Sequence, residues 1–128
     1  MKTIIDSTYD EELQNAVEYL KKIKDHEEGG IILKKNDQFK FIPCKNISDC
    51  KKYIYVPDMN ELFEIMDEDD ECTIYGSVHN HPFSPASPSH IDVEDLFKNF
   101  VKNSIFSNVE QKLVEHDTHG YVSKVIAV

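Results

Sequence analysis

The run His79-Asn80-His81-Pro82-Phe83-Ser84-Pro85-Ala86-Ser87-Pro88-Ser89-His90-Ile91-Asp92 constrains this chain more than any other stretch. The residues before it, Cys72 to Val78, are rich in β-formers and unbroken, which predicts a buried central strand. On a strand, residues i and i+2 point to the same side. His79 and His81 can therefore aim at one ion while Asn80 points away. Prolines 82, 85 and 88 make the following stretch a loop and reduce the entropy lost on fixing it. That loop must fold back so that Asp92 closes a third ligand position. Neutral imidazole and carboxylate suit zinc, and three protein ligands with an open fourth position are the pattern of a catalytic rather than a structural zinc site. The alternative for Ser89-x-x-Asp92 is a helix capping box, and that role is compatible with the first.

Elements on either side follow from periodicity. Leu13, Ala16, Val17, Leu20 and Ile23 share one face of a helix predicted over 9–25, which Gly29-Gly30 breaks. Ile31–Leu33 reads as a short buried strand. Phe39–Ile42 reads as its partner, across a turn at 35–37. Tyr53–Val56 is a further β-type run stopped by Pro57. Asp58 then caps a helix near 59–67 with Leu62, Phe63, Ile65 and Met66 as apolar positions. A helix is predicted over 90–103 with Val93, Leu96, Phe97, Phe100 and Val101 inward, and two strands over 111–128 around His119-Gly120. The expected architecture is one α/β domain over 1–128: a small mixed sheet packed by two or three helices.

Charge excludes some partners. The formal net charge is −10, and Asp67–Glu71 is a block of five acids, most simply a solvated loop. A nucleic-acid binder would carry a basic stripe that displaces counterions; here the lysines are scattered. A neutral or basic protein or peptide is the expected partner, with no nucleic acid and no membrane. No apolar run approaches the roughly 20 residues of a spanning helix. The start, Met1–Asp6, meets a charge too soon for a signal peptide. Three cysteines, Cys44, Cys50 and Cys72, then suggest reduced thiols and a cytoplasmic setting. His116-x-x-His119 has the wrong parity for a second metal on a hairpin, so exposed histidines are expected there.

His79-x-His81-x7-Ser89-x-x-Asp92 resembles the signature of the JAMM (MPN+, JAB) metallopeptidases in residue type and spacing. Glu27-Glu28-Gly29-Gly30 also resembles that family's upstream Glu-x-x-Gly context. The likeness runs over about residues 9–103. It implies a single JAMM/MPN-type, cytidine-deaminase-like domain with a mixed, curved sheet. It implies one Zn2+ per chain on His79, His81 and Asp92. Glu27 would activate water and later protonate the leaving amine, with Glu28 as the rival for that role. Ser89 would donate to the oxyanion. The implied reaction is hydrolysis of a peptide or isopeptide amide, without an acyl-enzyme. Asn80 between the histidines resembles the RadC branch, and Phe41–Asn46 resembles the phage tail-assembly members. A standalone prokaryotic or phage-type peptidase is expected, acting on a ubiquitin-like tail or a phage structural protein. The alternatives are a catalytically silent interaction scaffold and a RadC-like protein. The letters His-Asn-His also suggest a nuclease, but nuclease motifs of that name space those residues far apart. Oligomeric state is left open.

Overall fold

A computed structural model describes residues 3–128; Met1 and Lys2, part of the charged start, lie outside them. A six-stranded mixed sheet is built from β1 (Gly29–Lys35), β2 (Gln38–Pro43), β3 (Thr73–His81), β4 (Lys102–Ser107), β5 (Lys112–His116) and β6 (Val122–Ile126). The spatial order is β2-β1-β3-β4-β5-β6. Every neighbouring pair is antiparallel except β3–β4, which is parallel and needs the crossover 82–101. β3 is therefore central, as its apolar run implies, and it carries both histidines at its end.

Side-chain alternation builds two apolar layers. Ile32, Phe41, Val78, Phe106 and Leu113 project to one face, where α1 (Tyr9–Leu20) covers them with Leu13, Ala16, Val17 and Leu20. Thr8 caps α1, its hydroxyl accepting the Glu11 N–H at 3.1 Å. Ile31, Leu33, Ile42, Ile105 and Val114 project to the other face. There α2 (Asn60–Glu68) contributes Leu62, and the crossover contributes Leu96, Phe97 and Phe100. Among the described residues no helix is long and apolar enough to cross a membrane.

Three local expectations are corrected. α1 stops at Leu20 rather than at residue 25, because the Leu20 carbonyl is taken by Ile23 N–H (3.0 Å) and Asn108 Nδ2 (3.3 Å). Gly29-Gly30 is consequently not a helix breaker but the buried start of β1. Tyr53–Val56 forms no strand. Asn46 satisfies that segment instead: its Oδ1 accepts Val56 N–H (3.1 Å) and its Nδ2 donates to the Ile54 carbonyl (2.8 Å). The helix expected over 90–103 is only a π-helical turn, Asp92–Leu96, and a 3-10 turn, Phe97–Asn99. Asn99 Nδ2 takes the Asp95 carbonyl (3.0 Å), and Asn103 Nδ2 takes those of Phe97 and Phe100 (each 3.2 Å). The chain then enters β4, a strand absent from the sequence reading, and Val101 is exposed.

Smaller departures follow. Asp58 does not cap α2 directly; its Oδ1 accepts the Asn60 N–H at 3.1 Å while Met59 holds the cap position. Phe63 is half exposed. Within the acid block, Asp69 is buried against Lys35, Oδ2 to Nζ 2.6 Å, while its neighbours are exposed.

Candidate metal centre

β3 delivers His79 and His81 to one side of the sheet, 5.1 Å apart between ring centroids. The crossover returns Asp92 to them: Oδ1 lies 3.4 Å from His79 Nε2 and Oδ2 lies 3.2 Å from His81 Nε2. The segment between α1 and β1 brings in Glu27, whose Oε1 is 3.7 Å from His79 Nε2 and whose Oε2 is 4.0 Å from His81 Nε2. One donor atom from each of the four lies within 4.8 Å of every other, and all four residues are buried. Glu28, the rival, faces elsewhere: its Oε1 accepts Asn46 N–H (2.8 Å) and its Oε2 meets His26 Nε2 (3.1 Å).

The donor set fits a divalent ion. Glu27 Oε1 and both His79 nitrogens are buried without a hydrogen-bond partner among the described residues. Orphaned buried polar atoms are costly in a folded protein, and a cation at the cluster would engage one of them, His79 Nε2, beside His81 Nε2 and an Asp92 carboxylate oxygen, the donor types zinc prefers. The His81 ring is oriented for that task. Its Nδ1 lies 2.9 Å from the Pro85 carbonyl; with the proton there, the Nε2 lone pair faces the cluster. His79 lacks such a partner and is set by packing. Tyr55 stacks on it with centroids 5.6 Å apart and planes 10° apart. The Tyr55 hydroxyl is itself anchored on the Cys44 carbonyl at 2.5 Å. Across the β1–β3 pairing, Gly29 admits the Val78 carbonyl and the His79 Cα and Cβ because it has no Cβ.

Electrostatics follow from this crowding. Burial pushes the Glu27 carboxyl up, with the two imidazoles pulling it back and Asp92 adding to the rise. Burial also opposes ionisation of Asp92, but the His79 and His81 rings and the Ser89 N–H outweigh it and hold that carboxyl well below the usual range. For His79, burial works against the charged form, and the Asp92 and Glu27 carboxylates outweigh it and raise its pKa.

Ser89 and Asp92 form the reciprocal capping pair expected from their spacing. Ser89 N–H donates to Asp92 Oδ2 (3.0 Å) and Asp92 N–H donates to Ser89 Oγ (3.1 Å). The Ser89 hydroxyl proton is thereby left to donate elsewhere. Two contributors escaped the sequence reading. Tyr55 gave no signal, since stacking on a residue 24 positions away has no local pattern. Asn46 gave none either. The expectation for His116 is corrected: it is fully buried, tilted against Phe97, with Nδ1 3.2 Å from the Asn103 carbonyl. His119 and His90 are exposed. The thiols of Cys44, Cys50 and Cys72 are free of disulfides.

A cavity of about 510 Å³ opens beyond Tyr55, walled by Val56, Pro57, Met59, Leu96 and Phe100. Tyr55 is thus shared between this apolar space and the His79 ring.

Comparison with known proteins agrees with the geometry. The family model of prokaryotic homologs of the JAB domain matches residues 10–121. Two solved structures share the fold. One is the solution structure of a protein from Desulfitobacterium hafniense, with TM-score 0.67 and 18% identity over 96% of this chain and 92% of that one. The other is the crystal structure of a JAB1/MPN domain protein from Archaeoglobus fulgidus, with TM-score 0.59 and 17% identity over 98% of this chain and 100% of that one. No curated protein matches the chain.

Proposed function

The chain belongs to the family of prokaryotic JAB-domain homologs, and from that premise we propose that it is a zinc-dependent peptidase or isopeptidase. The observation that carries the reading is the buried convergence of Glu27, His79, His81 and Asp92. His79, His81 and Asp92 would hold one zinc ion through Nε2, Nε2 and a carboxylate oxygen. When bound, zinc would supply Lewis acidity, lowering the pKa of a coordinated water to about 7.

The remaining work falls to the chain. Glu27, whose carboxyl burial pushes up, would take a proton at a carboxylate oxygen and return it to the leaving nitrogen. Ser89, its Oγ fixed by the Asp92 N–H, would point its proton at the developing oxyanion; one such donor is worth about 2.7–4 kcal/mol in a protease. Tyr55 and Leu96 would seat an apolar side chain of the substrate in the adjoining cavity. The acidic surface suits a neutral or basic polypeptide, with a ubiquitin-like tail or a phage structural protein as candidates.

The test is Glu27→Gln. Zinc should be retained while hydrolysis of a panel of C-terminal tail peptides and isopeptide conjugates is lost. Full turnover by that variant would overturn Glu27 as the base. Retained zinc with no turnover by the unaltered protein on any member of the panel would favour an interaction scaffold.

A further inference from the structure

Glu27 lies in the connection between α1 and β1, outside any helix or strand. A carboxylate on such a segment would wander unless its backbone were fixed, and misplacement by about 1 Å can cost a catalyst 100-fold. Here the peptide groups of Glu27 and Glu28 are all engaged. Glu27 N–H donates to the Lys51 carbonyl (2.7 Å) and Glu27 C=O accepts from Asn46 Nδ2 (2.8 Å). Glu28 N–H donates to Asn80 Oδ1 (2.7 Å), and Asn80 N–H donates to Glu28 C=O (3.1 Å).

Asn80 does more than close one turn. Its Nδ2 reaches the carbonyls of Ile23 (2.9 Å) and His26 (3.2 Å) and the Asn108 Oδ1 (2.8 Å). One buried side chain thus ties the beginning, middle and end of the connection to β3. It sits between His79 and His81 and, by strand alternation, on the opposite side of the sheet. No other small side chain reproduces this. Aspartate lacks the donors, and serine or threonine offers a single hydroxyl for several partners.

Resting on the reading of Glu27 as the base, we propose that Asn80 is a positioning residue that fixes the Glu27 carboxylate against the two imidazoles. It acts through the backbone of residues 23–28 and touches neither metal nor substrate. Because it shares three consecutive residues with the two histidines, ligand placement and base placement are set by the same stretch of β3.

Cobalt(II) in place of zinc provides the test, through the pH midpoint of its visible absorption change. Asn80→Ala should bind Co(II) within about threefold of the unaltered protein, since its three ligands remain. Its midpoint should move in the direction given by Glu27→Gln, and the double variant should match Glu27→Gln alone. An unshifted midpoint in Asn80→Ala, with Glu27→Gln shifted, overturns this inference and leaves the proposed function standing. So does a double variant whose two displacements simply add. Absence of Co(II) binding by the unaltered protein overturns the proposed function itself. If Asn80→Ala does not fold, Asn80→Ser and amide exchange on the unaltered protein decide the matter. The Glu28 amide, which donates to Asn80 Oδ1, should be protected far beyond those of Lys24 and Asp25, and equal exchange would sink the proposal.

Discussion

Gly29 shows how single atoms set the candidate centre. A Cβ there would run into the Val78 carbonyl oxygen and come within 2.8 Å of His79 Cβ. Gly29→Ala is expected to destabilise the fold by about 1–3 kcal/mol and to weaken zinc binding, because β3 must retreat with its imidazole. Thermal melting and competition with a zinc chelator measure the two effects; loss of stability with unchanged zinc affinity would show that the ring does not depend on this contact. Proton linkage gives a second prediction. The pKa of His79 is raised in the folded metal-free protein. The stability it contributes is therefore fully present below its unfolded value of about 6.5 and is lost as pH rises through the higher folded value. Asp92 is depressed, so its contribution is present above its unfolded value of about 3.9 and is lost progressively as pH falls below it. Metal-free protein should thus lose melting temperature as pH rises above about 6.5, while the increment on adding zinc grows, because zinc needs the neutral imidazole. A zinc increment independent of pH would contradict the assignment of His79. At this scale the two histidines and Asp92 were legible because strand parity and loop spacing are local facts. Which of Glu27 and Glu28 faces the cluster was not, because an irregular segment has no parity; Asn46 and Asn80 hold Glu28 elsewhere from 18 and 52 residues away.

α1 is tied to the sheet by a buried acid as well as by its apolar face. Glu12 Oε1 accepts the Phe41 N–H of β2 at 2.7 Å, and its Oε2 accepts from Asn15 Nδ2 at 2.6 Å. Glu12→Ala leaves the Phe41 donor buried without a partner, which costs about 1–3 kcal/mol. Denaturant unfolding should show that loss with zinc affinity unchanged, and Glu12→Gln should recover most of it. A neutral Glu12→Ala would mean that α1 docks by apolar contact alone. The same element explains what could be read in advance. Leu13, Ala16, Val17 and Leu20 repeat at helical spacing, and that pattern survives folding because burial enforces it. β4 carries no such pattern. Asn103, Ser104 and Ser107 are buried, with Asn103 accepting the Ser77 hydroxyl and Ser107 donating to the Ser84 carbonyl. Asn103 and Ser107 are thus satisfied by partners 26 and 23 residues away, contacts that leave no local pattern in the sequence. The boundary of the preceding helical turn was misplaced for the same reason, since Asn99 and Asn103 capture carbonyls that a longer helix would need.

At the scale of the whole molecule, both apolar layers meet at β3, and the four residues of the candidate centre converge at the end of that strand. A metal bound only by the folded state stabilises it by mass action, about 4.1 kcal/mol at a free concentration of 1,000 Kd. Chelation should therefore lower the melting temperature of the entire domain in one transition rather than loosen a single loop. The most direct measurement of the central claim is metal content after purification and dialysis against trace zinc, for the unaltered protein and for His81→Ala. One zinc per chain in the former and essentially none in the latter is the expected result. No retained zinc in the unaltered protein, or equal zinc in both, would contradict a metal centre at His79, His81 and Asp92.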